Sequence, residues 1–70
     1  MGEPVWEFEV DLKALRKQRG MTQEQVALAA GITQPHYSLI ERGLISPTMR
    51  TVQKLADALE VDFRELLPGL

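Results

Sequence analysis

The sequence predicts an all-α domain of five short helices behind a short extended segment, and three observations carry that prediction. The first is a punctuation used twice. Met21-Thr22 leads to Val26 and Ile32-Thr33 leads to Tyr37; each time a Thr can cap a helix while the flanking apolar pair staples the entry of the chain. The second is the spacing of Val52, Leu55, Ala56 and Leu59 at i, i+3, i+4 and i+7, which makes one apolar helical face. The third is that strand-type alternation is confined to the start, where Trp6, Phe8 and Val10 alternate with Glu7 and Glu9.

Seventy residues make one small domain. A chain of that size buries only about 60% of its unfolded surface, so its stability is expected to be modest or shared with a partner. A hydrophobic content of 44% with 26% charged residues fits a folded soluble domain rather than a disordered one. No apolar run approaches the ~18 residues of a membrane span and no secretory leader is visible, so a cytoplasmic protein without membrane contact is expected. Cysteine is absent, which excludes disulfides and thiol chemistry.

Residues 1–10 read as an extended arm or strand and residues 11–70 as the helical domain. A lone strand leaves its ladder groups unpaired, so this one either pairs with the same segment of a second copy or lays its aromatics on its own helices. Asp11 can cap a first helix from Leu12 to about Arg19, stopped by Gly20. Thr22 starts a second helix over about Gln23–Ala30, with Gln25 placed to complete a capping box. Gly31 can take the positive φ of a helix end, and Thr33 opens a third helix over about Gln34–Arg42, stopped by Gly43. Leu44 to Pro47 is a connector, because Pro lacks an N–H and biases the residue before it away from helix. Thr48 then caps a fourth helix to about Leu59. Asp62, with Glu65 in capping-box position and Val61 facing Leu66, starts a short fifth helix ending at Pro68-Gly69.

Two short helices joined by a tight Gly turn, with small residues Ala29-Ala30 at their contact, form the arrangement in which a second helix can enter a DNA major groove. The stretch from about Leu12 to Leu67 resembles the phage-repressor and Cro-type helix-turn-helix family, also called the xenobiotic-response-element family. Thr22-Gln23, Ala27, Gly31-Ile32, Ile40-Glu41 and Gly43 stand at its signature positions. The resemblance implies a lambda-repressor-like fold whose third helix reads bases. Gln34 matches a frequent base-contacting position, and its amide has the geometry to pair with N6–H and N7 of adenine. Ser38 and Leu39 lie on the same outer side, where Leu39 can meet a thymine methyl. Gln23 matches a phosphate-contacting position at a helix N-terminus, whose free N–H groups and dipole favour an anion. Thr22, Arg42 and Arg50 are further candidates for backbone contact. Arg16 and Glu41 match a pair that bridges the first and third helices in this family.

The formal net charge is −2, which argues against nucleic acid until position is considered. Lys13, Arg16, Lys17, Arg19, Arg42, Arg50 and Lys54 lie in the middle of the chain, interrupted only by Glu24 and Glu41, while the remaining acids crowd both ends. One His, no Cys and no convergent carboxylates leave no basis for catalysis, a metal or a cofactor. The chain is therefore read as a homodimeric DNA-binding regulator of the repressor type, with Trp6, Phe8, Phe63, Leu66 and Leu67 as candidate dimer contacts. Departures from the family pattern keep an alternative open. Leu28 and Leu39 replace usually polar or charged residues, Pro35 replaces a common base reader, Glu60 stands where Gly is usual, and the connector is neutral. Leu28, Leu39, Leu44 and Ile45 can instead form an apolar patch for a partner protein, as in an antitoxin-type module.

Overall fold

The computed structural model describes residues 11–66, apart from the side chain of Phe63. Trp6, Phe8, Leu67 and the expected strand of residues 1–10 lie outside the described residues. Four helices follow one another: α1 Leu12–Gln18, α2 Gln23–Ala30, α3 Gln34–Glu41 and α4 Met49–Leu59. Each begins on the side chain predicted for it. The Asp11 carboxylate accepts from Ala14 N, and the Thr22, Thr33 and Thr48 hydroxyls accept from Gln25, His36 and Thr51 N respectively. At α2 the box closes both ways, since the Thr22 N–H also donates to Gln25 Oε1 at 2.8 Å.

All four helices end in the same way. Two backbone donors fold back on each last turn: Gly20 and Met21 on Lys17 and Arg16, Gly31 and Ile32 on Leu28 and Ala27, Gly43 and Leu44 on Ile40 and Leu39, and Glu60 and Val61 on Asp57 and Ala56. This six-to-one closure needs a left-handed residue at its hinge. Gly31 supplies it with φ 72°, and open space surrounds the missing Cβ, so its φ alone asks for glycine. At the fourth helix the hinge is Glu60, φ 59°, the one described non-glycine residue in this region.

The core is built from one face of each helix. α4 sets Val52, Leu55, Ala56 and Leu59 against Val26, Ala27 and Ala30 of α2, with Tyr37 and Ile40 of α3 and Leu12 of α1 completing the cluster. Small residues on α2 let α4 approach closely. Arg19, just past α1, donates from Nε to the Leu59 carbonyl at 2.7 Å and so satisfies one of the free carbonyls at the end of α4.

The fifth helix is a correction. Phe63–Leu66 forms a single 3-10 turn rather than an α-helix. Its cap residues behave as expected, Asp62 Oδ1 accepting from Arg64 N and Glu65 Oε2 from Asp62 N. The Glu65 N–H, however, bonds to the Asp62 carbonyl three residues back at 2.8 Å, which winds the turn too tightly for an α-helix. The turn presses Leu66 into the core, where it is fully buried. A side chain enclosed by its own protomer has no area left for a partner, which removes Leu66 from the candidate dimer contacts.

Candidate nucleic-acid interface

α3 lies on the molecule with Tyr37 and Ile40 inward, both buried, and Pro35 and Arg42 exposed. Gln34, Ser38 and Leu39 are half-buried along its flank. Pro35 falls in the first turn, where no intrahelical N–H bond is lost, so its fixed φ supports the helix start and adds no donor. Arg42 is the α3 C-cap, and Arg50 stands exposed in the first turn of α4.

A polar chain crosses the three helices behind this flank. The Arg16 guanidinium grips Glu41 with both prongs, Nε to Oε2 at 2.8 Å and Nη2 to Oε1 at 3.2 Å, and its remaining prong donates to the Met21 carbonyl at 2.9 Å. The two side chains are only 12% and 5% exposed. Glu41 Oε1 also accepts from Gln23 Nε2 at 3.0 Å, and Gln23 Oε1 accepts from Gln34 Nε2 at 2.6 Å. Arg16, Glu41, Gln23 and Gln34 thus form one continuous network, ending at the residue expected to read a base.

The network keeps Glu41 ionised. Burial alone would raise its pKa, but the Arg16 hydrogen bond, the Tyr37 hydroxyl and the Gln23 amide together outweigh that and bring it down to about 2. The Tyr37 hydroxyl itself is buried beside this pair without a well-formed hydrogen bond to either partner. Burial first, and then the neighbouring carboxylate, hold its ionisation far above the usual range, so it stays neutral.

The start of α2 faces the same side. Thr22 and Gln25 take up one another's N–H groups, so the amides available to an anion there belong to Gln23 and Glu24. Thr22 is exposed and retains its hydroxyl proton as a donor. Elsewhere the surface carries apolar groups, with Leu28 83% and Leu44 62% exposed and Ile45 and Met49 also open. Sequence reasoning found Arg16 and Glu41 as a pair, and Gln23 and Gln34 singly, but missed the two amide links that join them. The available signal was the repeated Thr-Gln pair, Thr22-Gln23 and Thr33-Gln34, which puts a glutamine at the first position of each helix.

A helix-turn-helix family model matches residues 12–66, most of the chain. The chain belongs to the helix-turn-helix family. Within that family this protein is 43% identical over 53 residues to an uncharacterized HTH-type transcriptional regulator, y4dJ, of Sinorhizobium fredii, covering 76% of this chain and 69% of the relative. It is 37% identical over 60 residues to the cryptic phage CTXphi transcriptional repressor RstR of Vibrio cholerae, covering 86% of this chain and 54% of the repressor. Among solved structures, the restriction-modification controller protein C.AhdI of Aeromonas hydrophila superposes with a TM-score of 0.78 at 33% identity, over 81% of this chain and 86% of the controller. This helix-turn-helix chain spans about half of the phage repressor's length. Among the described residues no helix is long and apolar enough to cross a membrane.

Proposed function

We propose that this helix-turn-helix protein is a sequence-specific, DNA-binding transcriptional regulator that works as a cytoplasmic homodimer and represses its target. The observation that carries the reading is Gln34, placed at the first position of α3 with its amide anchored through Gln23 to a buried ion pair. A base reader on a flexible side chain gains specificity when its orientation is fixed before contact. Ser38 and Leu39 continue the same flank, and Leu39 offers an apolar surface to a thymine methyl. The amides of Gln23 and Glu24 with the Thr22 hydroxyl, and the cations Arg42 and Arg50, hold the phosphate backbone. No catalytic step is assigned to the chain, whose relatives named above are regulators.

Selection of bound duplexes from a random pool at low salt tests the reading. Two enriched half-sites with centres about one helical turn, ~34 Å, apart are the expected result. Gln34→Ala should then cost about 1–3 kcal/mol on the enriched site and little on random DNA, whereas Arg42→Gln should weaken both. A pool with no enriched sequence refutes base reading. It favours the second reading, a protein-interaction or antitoxin-type module, to which exposed Leu28, Leu44, Ile45 and Met49 point.

A further inference from the structure

The charges of the chain divide at Asp11. Residues 11–70 hold eight Lys and Arg against seven Asp and Glu, whereas residues 1–10 hold Glu3, Glu7 and Glu9 and no cation. The helical domain is thus positive by one charge, and the ten residues before it make the whole chain negative. Within the domain the acids do not serve the exposed arginines. Among the described residues the ion pairs are Arg16 with Glu41 and Arg64 with Asp62, which leaves Arg42 and Arg50 without an acidic partner. Glu41, next to Arg42 in sequence, has both carboxylate oxygens taken by Arg16 and Gln23.

We propose that residues 3–9 are a built-in competitor for DNA: Glu7 and Glu9, with Glu3, bind Arg42 and Arg50 of the same chain, so that a phosphate backbone must displace them. This rests on the proposed DNA-binding function, in which those two arginines hold the backbone. A carboxylate fills the arginine fork as a phosphate does, so the segment imitates the ligand it excludes. Its point of attachment favours the contact. Arg16 ties α1 to Glu41, one residue before Arg42, and Asp11 stands five residues from that tie, about 7.5 Å of helix. From Asp11 an extended chain reaches about 13 Å to Glu7 and about 27 Å to Glu3, in a domain measuring 28 × 21 × 18 Å. An extended chain also places Glu7 and Glu9 on one side, about 6.6 Å apart, with Trp6, Phe8 and Val10 on the other. The acids can therefore face the arginines while the aromatic side is left for a second copy. Exposed ion pairs are individually weak, but here the acids are tethered, which gives them a high effective concentration at the arginines.

The test neutralises the acids and keeps the aromatics. Affinity of the variant Glu3→Gln, Glu7→Gln, Glu9→Gln for the enriched duplex is read by anisotropy titration. At about 50 mM salt it should exceed that of the unaltered chain by roughly 3- to 30-fold, and the gain should shrink as salt is raised. The same three substitutions in a chain carrying Arg42→Gln and Arg50→Gln should change affinity by less than about twofold, since the acids then have nothing to occupy. A control, Asp57→Asn with Glu60→Gln and Glu65→Gln, reaches the same net charge from exposed acids of the domain and should also stay within about twofold of the unaltered chain. No gain from the first variant, or an equal gain in the control or in the chain without the two arginines, overturns the competitor and leaves the DNA-reading function standing. If no form of the chain binds an enriched duplex, both fall.

Discussion

Removing the cation from the buried pair, Arg16→Met, should change both the stability of the domain and the way stability responds to acid. In the intact protein the Glu41 carboxyl titrates at about 2 instead of the 4.5 expected of a free one. That difference of about 2.5 units, at 1.36 kcal/mol each, corresponds to roughly 3 kcal/mol of stability. The folded pKa is the depressed one. This contribution is therefore fully present above about pH 5 and is lost as pH falls toward 2. Arg16→Met strands a carboxylate whose side chain is only 5% exposed and also removes the donor to the Met21 carbonyl. Breaking a fully buried pair on one side typically costs about 3–5 kcal/mol; this pair is part-buried, which puts the loss toward the low end of that range, against only about 4–10 kcal/mol in total for a domain of 70 residues. The variant should be partly unfolded at neutral pH. With Arg16 gone, only the Gln23 amide and the Tyr37 hydroxyl oppose burial, so the Glu41 pKa rises and acid costs the variant less stability than it costs the intact protein. Urea unfolding followed by circular dichroism from pH 7 to pH 2 should show the gap between the two proteins at its largest at pH 7 and shrinking by more than half at pH 2. Arg16→Met with Glu41→Leu should recover most of the loss, because a matched apolar pair leaves no stranded charge. A gap of constant size across this range, or a double-mutant cycle without coupling, would refute the electrostatic account.

Three further outcomes follow from the helix ends and the surface. Glu60→Gly should raise stability by about 0.5–1 kcal/mol, the relief of a left-handed residue less the added freedom of the unfolded chain, read as an increase in the urea midpoint. Thr22→Ala should cost about 1 kcal/mol and lower Tm by roughly 4–8 °C, since it removes the acceptor for Gln25 N and opens the capping box. Sedimentation should find the full chain a dimer at micromolar concentration and a chain beginning at Asp11 more dissociated. A monomeric full chain sinks the proposed dimer, and an unchanged dimer after truncation sinks only the part assigned to Trp6 and Phe8.

Local signals made the helices legible. Each N-terminus was marked by a side chain that satisfies a free N–H within three residues, and that chemistry needs no knowledge of the fold. The core face of α4 was equally plain, because four apolar residues at helical spacing have only one way to be buried together. The 3-10 turn was misjudged for a physical reason: a capping box fixes where a helix begins but not whether enough turns follow to sustain i→i−4 bonding. The amide links from Glu41 to Gln34 join α2 and α3 at positions 11 to 18 residues apart. No local preference records such a contact; it exists only once two helix starts are brought side by side by packing.

The charge of the chain bears on how it would hold a polyanion. Net charge is −2, and two of the central cations are already engaged, Arg16 with Glu41 and Arg19 with the Leu59 carbonyl. The connector from Leu44 to Pro47 carries no cation, leaving Arg42 and Arg50 as the exposed positive groups nearest the α3 flank in sequence. The contacts proposed at the start of α2 are backbone amides and a hydroxyl, which orient a phosphate without displacing a counterion as a full charge does. Two cations per protomer give about four phosphates neutralised by a dimer, and hence a slope of log K against log salt near −3.6. Raising salt from about 50 to about 200 mM should then weaken binding roughly 150-fold, less than the 10³–10⁵ of a protein with six to ten such contacts. Double substitution of Arg42 and Arg50 by Gln should flatten the slope toward zero while the enriched base sequence stays the same, because the proposed base readers are Gln34, Ser38 and Leu39. Anisotropy titrations over that salt range decide it. A slope steeper than about −6 would mean that exposed Lys13, Lys17 or Lys54 also reaches the backbone and that the protein lies across the duplex in a different orientation from the one argued from α3.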